Sequence, residues 1–285
     1  MTIQTFDFSA YKHIVIKVGS SLIAPQDSYC SAQYCRPIAH FIERCLQQKK
    51  QVTLVSSGAV AAASNKIRFD KTKENTKVKA RAVKSTEEKQ ALAAIGQALI
   101  INHWQKFFDR DIGQILLCKD DFHNDKRANN AKKAINSLYD LSALPIVNEN
   151  DTVAIEELVF GDNDNLAAYI SNLIGAELLI ICSDISGLFT ANPYLEQSAK
   201  LIPFVKATDI IKHTNSAGTS HNPNAKGGMQ SKLTAAYYAS QHQIDTIICN
   251  GTNESYNRLF DNINPGTWFS CRNNQTVLSK EERYA

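Results

Sequence analysis

An α/β fold, with a mostly parallel central sheet sandwiched between helices, follows from three features of the sequence. Short apolar runs of strand length recur at residues 13–18, 52–55, 112–118, 144–147, 178–182 and 244–249. Each is rich in Ile, Val and Leu and nearly uniformly apolar, the pattern of strands buried on both faces of a parallel sheet. Longer segments with helical signals lie between them. Ser85 and Glu88 form a capping-box pattern ahead of Leu92, Ile95 and Leu99, and residues 165–174 and 228–240 read as further helices. Strand and helix therefore alternate, which predicts a sheet layered between helices. In such sheets ligands bind beyond the carboxyl ends of the strands, so the residues after each strand carry the functional information.

Bulk composition narrows the classes. The 285 residues are 44% hydrophobic and 21% charged, with a formal charge of +3. A nearly neutral chain is not expected to be a dedicated nucleic-acid binder, whose basic surface would dominate the composition. Seven cysteines are scattered through the sequence, several inside apolar runs, which fits reduced thiols in a reducing, cytoplasmic compartment. Cys30 and Cys35 lack the spacing of a zinc knuckle, so no metal site is expected there. No apolar stretch approaches the roughly 20 residues of a membrane helix, and residues 1–10 do not read as a signal peptide. Residues 66–89 are dense in lysine with Phe69 as their one aromatic, and are expected to form a solvated hairpin or loop.

Four strand ends and one helix start share a chemistry. The first run closes as Ile16-Lys17-Val18-Gly19-Ser20-Ser21. A lysine inside an apolar strand is costly to bury without a partner, so it either snorkels to solvent from the strand end or meets a ligand, for which the following N–H groups suit phosphate oxygens. The second closes as Val55-Ser56-Ser57-Gly58-Ala59, a turn into a helix start that either caps the helix or binds an anion. The fourth runs into Asn148-Glu149-Asn150-Asp151, with Gly161-Asp162-Asn163-Asp164-Asn165 shortly after. So many carboxylates and carboxamides exceed what turn chemistry needs, and their mix of donors and acceptors suits an amino acid. The fifth ends at Ser183-Asp184. Lys226-Gly227-Gly228-Met229-Gln230-Ser231-Lys232 opens a helix, a weak phosphate signal by itself that gains from the other four.

In this order the motifs I-K-V-G-S-S, V-S-S-G-A-V, K-Q-A-L-A-A-I-G-Q, P-I-V-N-E-N-D, F-G-D-N-D-N-L, S-D-I-S-G-L-F-T and K-G-G-M-Q-S-K resemble the amino-acid kinase family over nearly the whole chain. The N-E-N-D and G-D-N-D-N pair resembles the glutamate-phosphorylating branch. The resemblance implies one kinase domain over residues 1–285, with an amino-acid-binding lobe to about residue 175 and a nucleotide-binding lobe beyond. It implies ATP-dependent phosphorylation of the L-glutamate γ-carboxylate, the first step of proline synthesis, with Mg²⁺ accompanying ATP. Lys17 and Lys232 would be catalytic, with Asp164 holding both. Ser57, Asn148, Asp151 and Asn163 would bind glutamate. Lys17, Gly19, Ser183, Asp184 and the run Lys226, Gly227, Gly228, Met229, Gln230, Ser231 and Lys232 would bind ATP. Homo-oligomers and inhibition by proline are implied in the same way, without nucleic-acid or membrane partners. Lys226 stands where the family usually has threonine, and the chain is expected to lack the C-terminal PUA domain of many relatives.

Overall fold

The computed structural model describes residues 6–26, 28–73, 85–153, 162–214 and 228–271. Six strands form where the apolar runs predict them: β1 (His13–Val18), β2 (Gln51–Ser56), β3 (Ile112–Leu117), β4 (Leu144–Glu149), β5 (Leu178–Ser183) and β7 (Asp245–Asn250). Two shorter strands, β6 (Phe204–Lys206) and β8 (Thr267–Ser270), complete a sheet of order β3-β4-β2-β1-β5-β7-β8-β6. At three and four residues they offer too little periodicity to read from sequence. β1 lies at the centre, parallel to β2 on one side and β5 on the other, while β8 runs antiparallel to β7. From β1 the chain steps to β2, then out to β3 at the edge, back to β4 between β3 and β2, and across to β5 on the other side of β1. That reversal opens the crevice in which doubly wound sheets hold ligands.

Helices α1 (Ser20–Ile23), α2 (Ala32–Gln47), α3 (Ala59–Lys73), α4 (Thr86–Gln105), α5 (Lys119–His123), α6 (Asp125–Asp140), α7 (Asn163–Ile174), α8 (Ile210–Thr214) and α9 (Met229–Gln241) flank the sheet. Side chains alternate along each strand, and the two faces bury separate cores. Ile14, Ile16 and Val18 pack with Ile38 and Ile42 of α2 and Ile100 and Trp104 of α4. Val15 packs with Leu166 and Ile170 of α7 and Leu233 and Ala236 of α9. Lys17, two residues on, shares the α7/α9 face. None of the described helices is long and apolar enough to cross a membrane.

Two expectations need correction. The lysine-rich stretch is not a hairpin where it is described: residues 66–73 extend α3, and Thr86 to Lys89 open α4, whose N-cap Ser85 accepts from the Glu88 N–H at 3.2 Å. Residues 74–84 lie outside the described residues. Charge density does not break a helix, because lysine and glutamate are good helix formers. Ile95, expected on the apolar face with Leu92 and Leu99, is 47% exposed. The buried face of α4 runs instead through Leu92, Ala93, Gly96, Gln97, Ile100 and Trp104. Gly96 sets that face: a Cβ there would come within 1.8 Å of the Ala59 carbonyl oxygen, so only glycine admits α3 this close.

Candidate functional site

The carboxyl end of β1 carries Lys17 into the space under the first turns of α7 and α9. Its ammonium lies 2.5 Å from Asp164 Oδ1, and that of Lys232 lies 3.1 Å from Asp164 Oδ2. Asp164 is fully buried, and the two lysines are 5% and 4% exposed. Lysines from the first and last thirds of the chain thus meet on one carboxylate. Ser231 Oγ donates to Asp164 Oδ2 at 3.0 Å and also reaches the Gly228 carbonyl at 3.0 Å.

Local sequence explains the placement. Asp162 caps α7, accepting from the Asp164 N–H at 2.7 Å and the Asn165 N–H at 3.4 Å, and this sets Asp164 in the first turn. A carboxylate there is favoured by the helix dipole, whereas Lys232 in the first turn of α9 faces the positive end, the wrong sign for a structural lysine. Burial alone would raise the Asp164 pKa, but the attraction of Lys17 and Lys232 outweighs it and holds the carboxyl well below the usual range. Burial disfavours the charge on Lys232, yet Asp164, with Asp162 and Asp184 beyond it, raises its pKa. The Asp162 carboxyl is pushed up by burial and by Asp164. Within the trio, two buried cations share one buried anion, an imbalance that an anionic ligand would relieve.

On the other face of the same edge lies a relay of carboxamides. Asn148, next to last in β4, points toward α4, as Ser56 of β2 and Gln114 of β3 do. Asn163 Nδ2 donates to the Ser56 carbonyl at 3.1 Å and to Asn148 Oδ1 at 2.6 Å. Asn148 Nδ2 donates to Gln97 Oε1 at 3.2 Å. Trp104 Nε1 fixes the Ser56 hydroxyl at 2.9 Å. Asn163 and Asp164 are consecutive, so the start of α7 straddles the sheet edge, one side chain in each cluster. Asp151, two residues past the end of β4, pairs with Lys89 of α4 at 3.1 Å.

The remaining expected residues line the same edge. Gly19 follows β1 beside the Lys17 ammonium, and a Cβ there would make only ordinary contacts, with Lys17 Nζ at 4.0 Å. Its N–H, expected to face phosphate, is instead taken by the Cys182 carbonyl at 3.2 Å, and the Ser57 N–H by the Val18 carbonyl at 3.2 Å. These bonds extend the sheet one residue past its strand ends. Gly58 makes the turn after Ser57 with φ +94°, open to glycine at little cost. Ser183 Oγ bonds the exposed Asp184 at 3.1 Å, and Gly228 is the N-cap of α9, followed by Met229 and Gln230. Lys226 and Gly227 lie outside the described residues. Gln97 belongs to the relay although its sequence context assigns it no role. The available signal was an amide on the buried side of α4, four residues after Ala93.

Comparison with known proteins agrees with this architecture. The profile of the amino acid kinase family matches residues 12–250. Three curated relatives carry the name glutamate 5-kinase. The one from Salinibacter ruber is 47% identical over 90% of this chain and 66% of its own length. The one from Idiomarina loihiensis is 39% identical over 91% of this chain and 67% of its own length. The one from Clostridium tetani is 37% identical over 91% and 95% respectively. The chain thus spans about two thirds of the first two and nearly all of the third. Among solved structures, a carbamate kinase from Giardia lamblia bound to AMP-PNP superposes with a TM-score of 0.64 at 13% identity, covering 92% of this chain and 99% of its own. UMP kinase from Bacillus anthracis does so at 0.61 and 13%, covering 92% and 97%. These two likenesses speak to the fold alone.

Proposed function

The chain belongs to the amino acid kinase family, and on that premise we propose that it transfers the γ-phosphoryl group of ATP to the side-chain carboxylate of L-glutamate. The product is L-glutamyl 5-phosphate, the first intermediate of proline synthesis. The observation that carries the reading is the buried Lys17–Asp164–Lys232 cluster beside an amide-rich pocket at one sheet edge.

The acceptor carboxylate has an ordinary pKa near 4.3, so it is already ionised at neutral pH and needs no general base. What the reaction needs is positioning and cancellation of charge, since one anion attacks another. On this reading Lys17 and Lys232 neutralise charge developing on the transferred phosphoryl group, and Asp164 keeps them at fixed separation. Ser57, Asn148, Asp151 and Asn163 hold glutamate. Gly19, Ser183, Asp184 and the start of α9, with Lys226 and Gly227 before it, hold ATP. Lys17 and Gly19 apart, the segment before about residue 175 then serves the acceptor and the rest serves the nucleotide. Among the described residues no three acidic, histidine or cysteine side chains converge as a metal cage. Mg²⁺ would arrive on the nucleotide's phosphates, its usual manner of binding. A cytoplasmic homo-oligomer inhibited by proline is part of the same reading.

The test is ATP-dependent formation of a hydroxamate, which traps an acyl phosphate. Glutamate is expected to give product, with aspartate and N-acetylglutamate far slower. A chain that releases ADP only with another acceptor would overturn the assignment.

A further inference from the structure

What fixes the amide groups of the acceptor pocket is a question that rests on the kinase reading above. A carboxamide turned by 180° exchanges a donor for an acceptor with almost no change of shape. A pocket that must tell an ammonium from a carboxylate is spoiled by such a turn. Here the polarity is anchored by backbone groups that cannot turn. The Ser56 carbonyl, an acceptor only, takes Asn163 Nδ2 at 3.1 Å. The Glu149 N–H, a donor only, gives to Asn148 Oδ1 at 2.9 Å. Gln97 supplies the third anchor. Its Nε2 donates to the Glu149 carbonyl at 3.3 Å, which leaves Oε1 to accept from Asn148 Nδ2 at 3.2 Å and Gln114 Nε2 at 3.0 Å.

With those bonds made, both N–H groups of Asn163 are used and its Oδ1 remains. Asn148 has its oxygen doubly occupied, by Asn163 Nδ2 and the Glu149 N–H, and retains one N–H. We propose that Gln97 is a positioning residue for the amino-acid acceptor, locking the pair so that Asn163 presents a carbonyl oxygen and Asn148 an N–H. The first suits an ammonium and the second a carboxylate. Gln97 is buried at 7% exposure and acts through Asn148. A purely packing role would be filled as well by an apolar side chain of the same length.

Gln97→Met and Gln97→Glu separate these roles in the hydroxamate assay. Gln97→Met keeps the length and removes every hydrogen bond. The KM for glutamate is expected to rise about tenfold, the scale of one unmade buried hydrogen bond. The KM for ATP and kcat are expected to stay within about threefold, since the phosphoryl cluster is untouched. Gln97→Glu keeps an oxygen facing Asn148 but sets an acceptor, charged when ionised, against the Glu149 carbonyl, and is expected to raise glutamate KM at least as much as Gln97→Met. If Gln97→Met does not fold, Gln97→Glu carries the test with the same selective rise in glutamate KM. Unchanged glutamate KM in the folded variants, or equal rises in both KM values, overturns the proposal while the kinase reading stands. A wild-type chain that makes no glutamyl hydroxamate overturns both.

Discussion

Both edges of the central sheet bury polar groups, and they do so to opposite ends. At the amino edge Asp245 is 1% exposed and accepts from Tyr11 Oη at 2.6 Å, the Cys271 N–H at 2.8 Å and Trp268 Nε1 at 3.3 Å. Lys50, also buried, donates to the carbonyls of Phe8 at 2.9 Å and Tyr11 at 2.7 Å. These bonds tie the N-terminal segment to the last described strand and to the start of β2, and Asp245 and Lys50 both find their partners within the chain. At the carboxyl edge two ammonium groups share one carboxylate, and the amide relay keeps a donor and an acceptor unspent. Buried polarity that closes on itself holds a fold together. Buried polarity left open calls for a ligand.

Removing the central acid at each edge should separate the two. Asp164→Ala removes the carboxylate that both buried ammonium groups share and is expected to cost about 4 kcal/mol of stability along with all activity. Asp245→Ala strands neutral donors and is expected to cost about 3 kcal/mol, with both KM values of the soluble fraction unchanged. Denaturant unfolding and steady-state kinetics on the two variants check the contrast. An Asp245→Ala chain with normal stability, or with altered KM for glutamate, would blur it.

A smaller effect sharpens the comparison through pH. At the amino edge His13 Nε2 bonds Tyr139 Oη at 2.8 Å, and Tyr139 in turn reaches Thr53 Oγ1. Burial pushes the imidazole down to about 4 against the pull of Glu177. The folded chain then binds fewer protons than the unfolded chain between about pH 4 and 6.5. Stability from this group is complete above about pH 6.5 and is lost as pH falls toward 4, by about 2 kcal/mol once partial exposure is allowed for. Thermal unfolding followed across that range is expected to show the slope, and His13→Gln to flatten it.

The carboxyl edge was the more legible of the two. Strand ends announce it, because Lys17, Asn148 and Asp184 follow or interrupt apolar runs where their chemistry has no local use. The six long strands were legible because a uniformly apolar run of about six residues, too short for a helix, suits a strand covered on both faces. The amino edge was not, since Asp245 and Tyr11 reveal their partnership only when positions 234 apart are brought together. The same holds for Gln97, whose bonds reach 51 residues to Asn148 and 17 to Gln114. Helix α2 was missed for a local reason. Pro37 falls inside it, although Cys35, Ile38, Ala39, Phe41, Ile42 and Cys45 give it a strongly buried face. Packing of that face outweighs the lost backbone bond.

The most direct measurement is turnover of Lys17→Ala and Lys232→Ala at saturating ATP and glutamate. Each ammonium is held to work on the phosphoryl group in transit, so kcat is expected to fall at least about a thousandfold. Glutamate KM should stay within a few-fold of the wild type. Near-normal turnover from either folded variant would contradict the account.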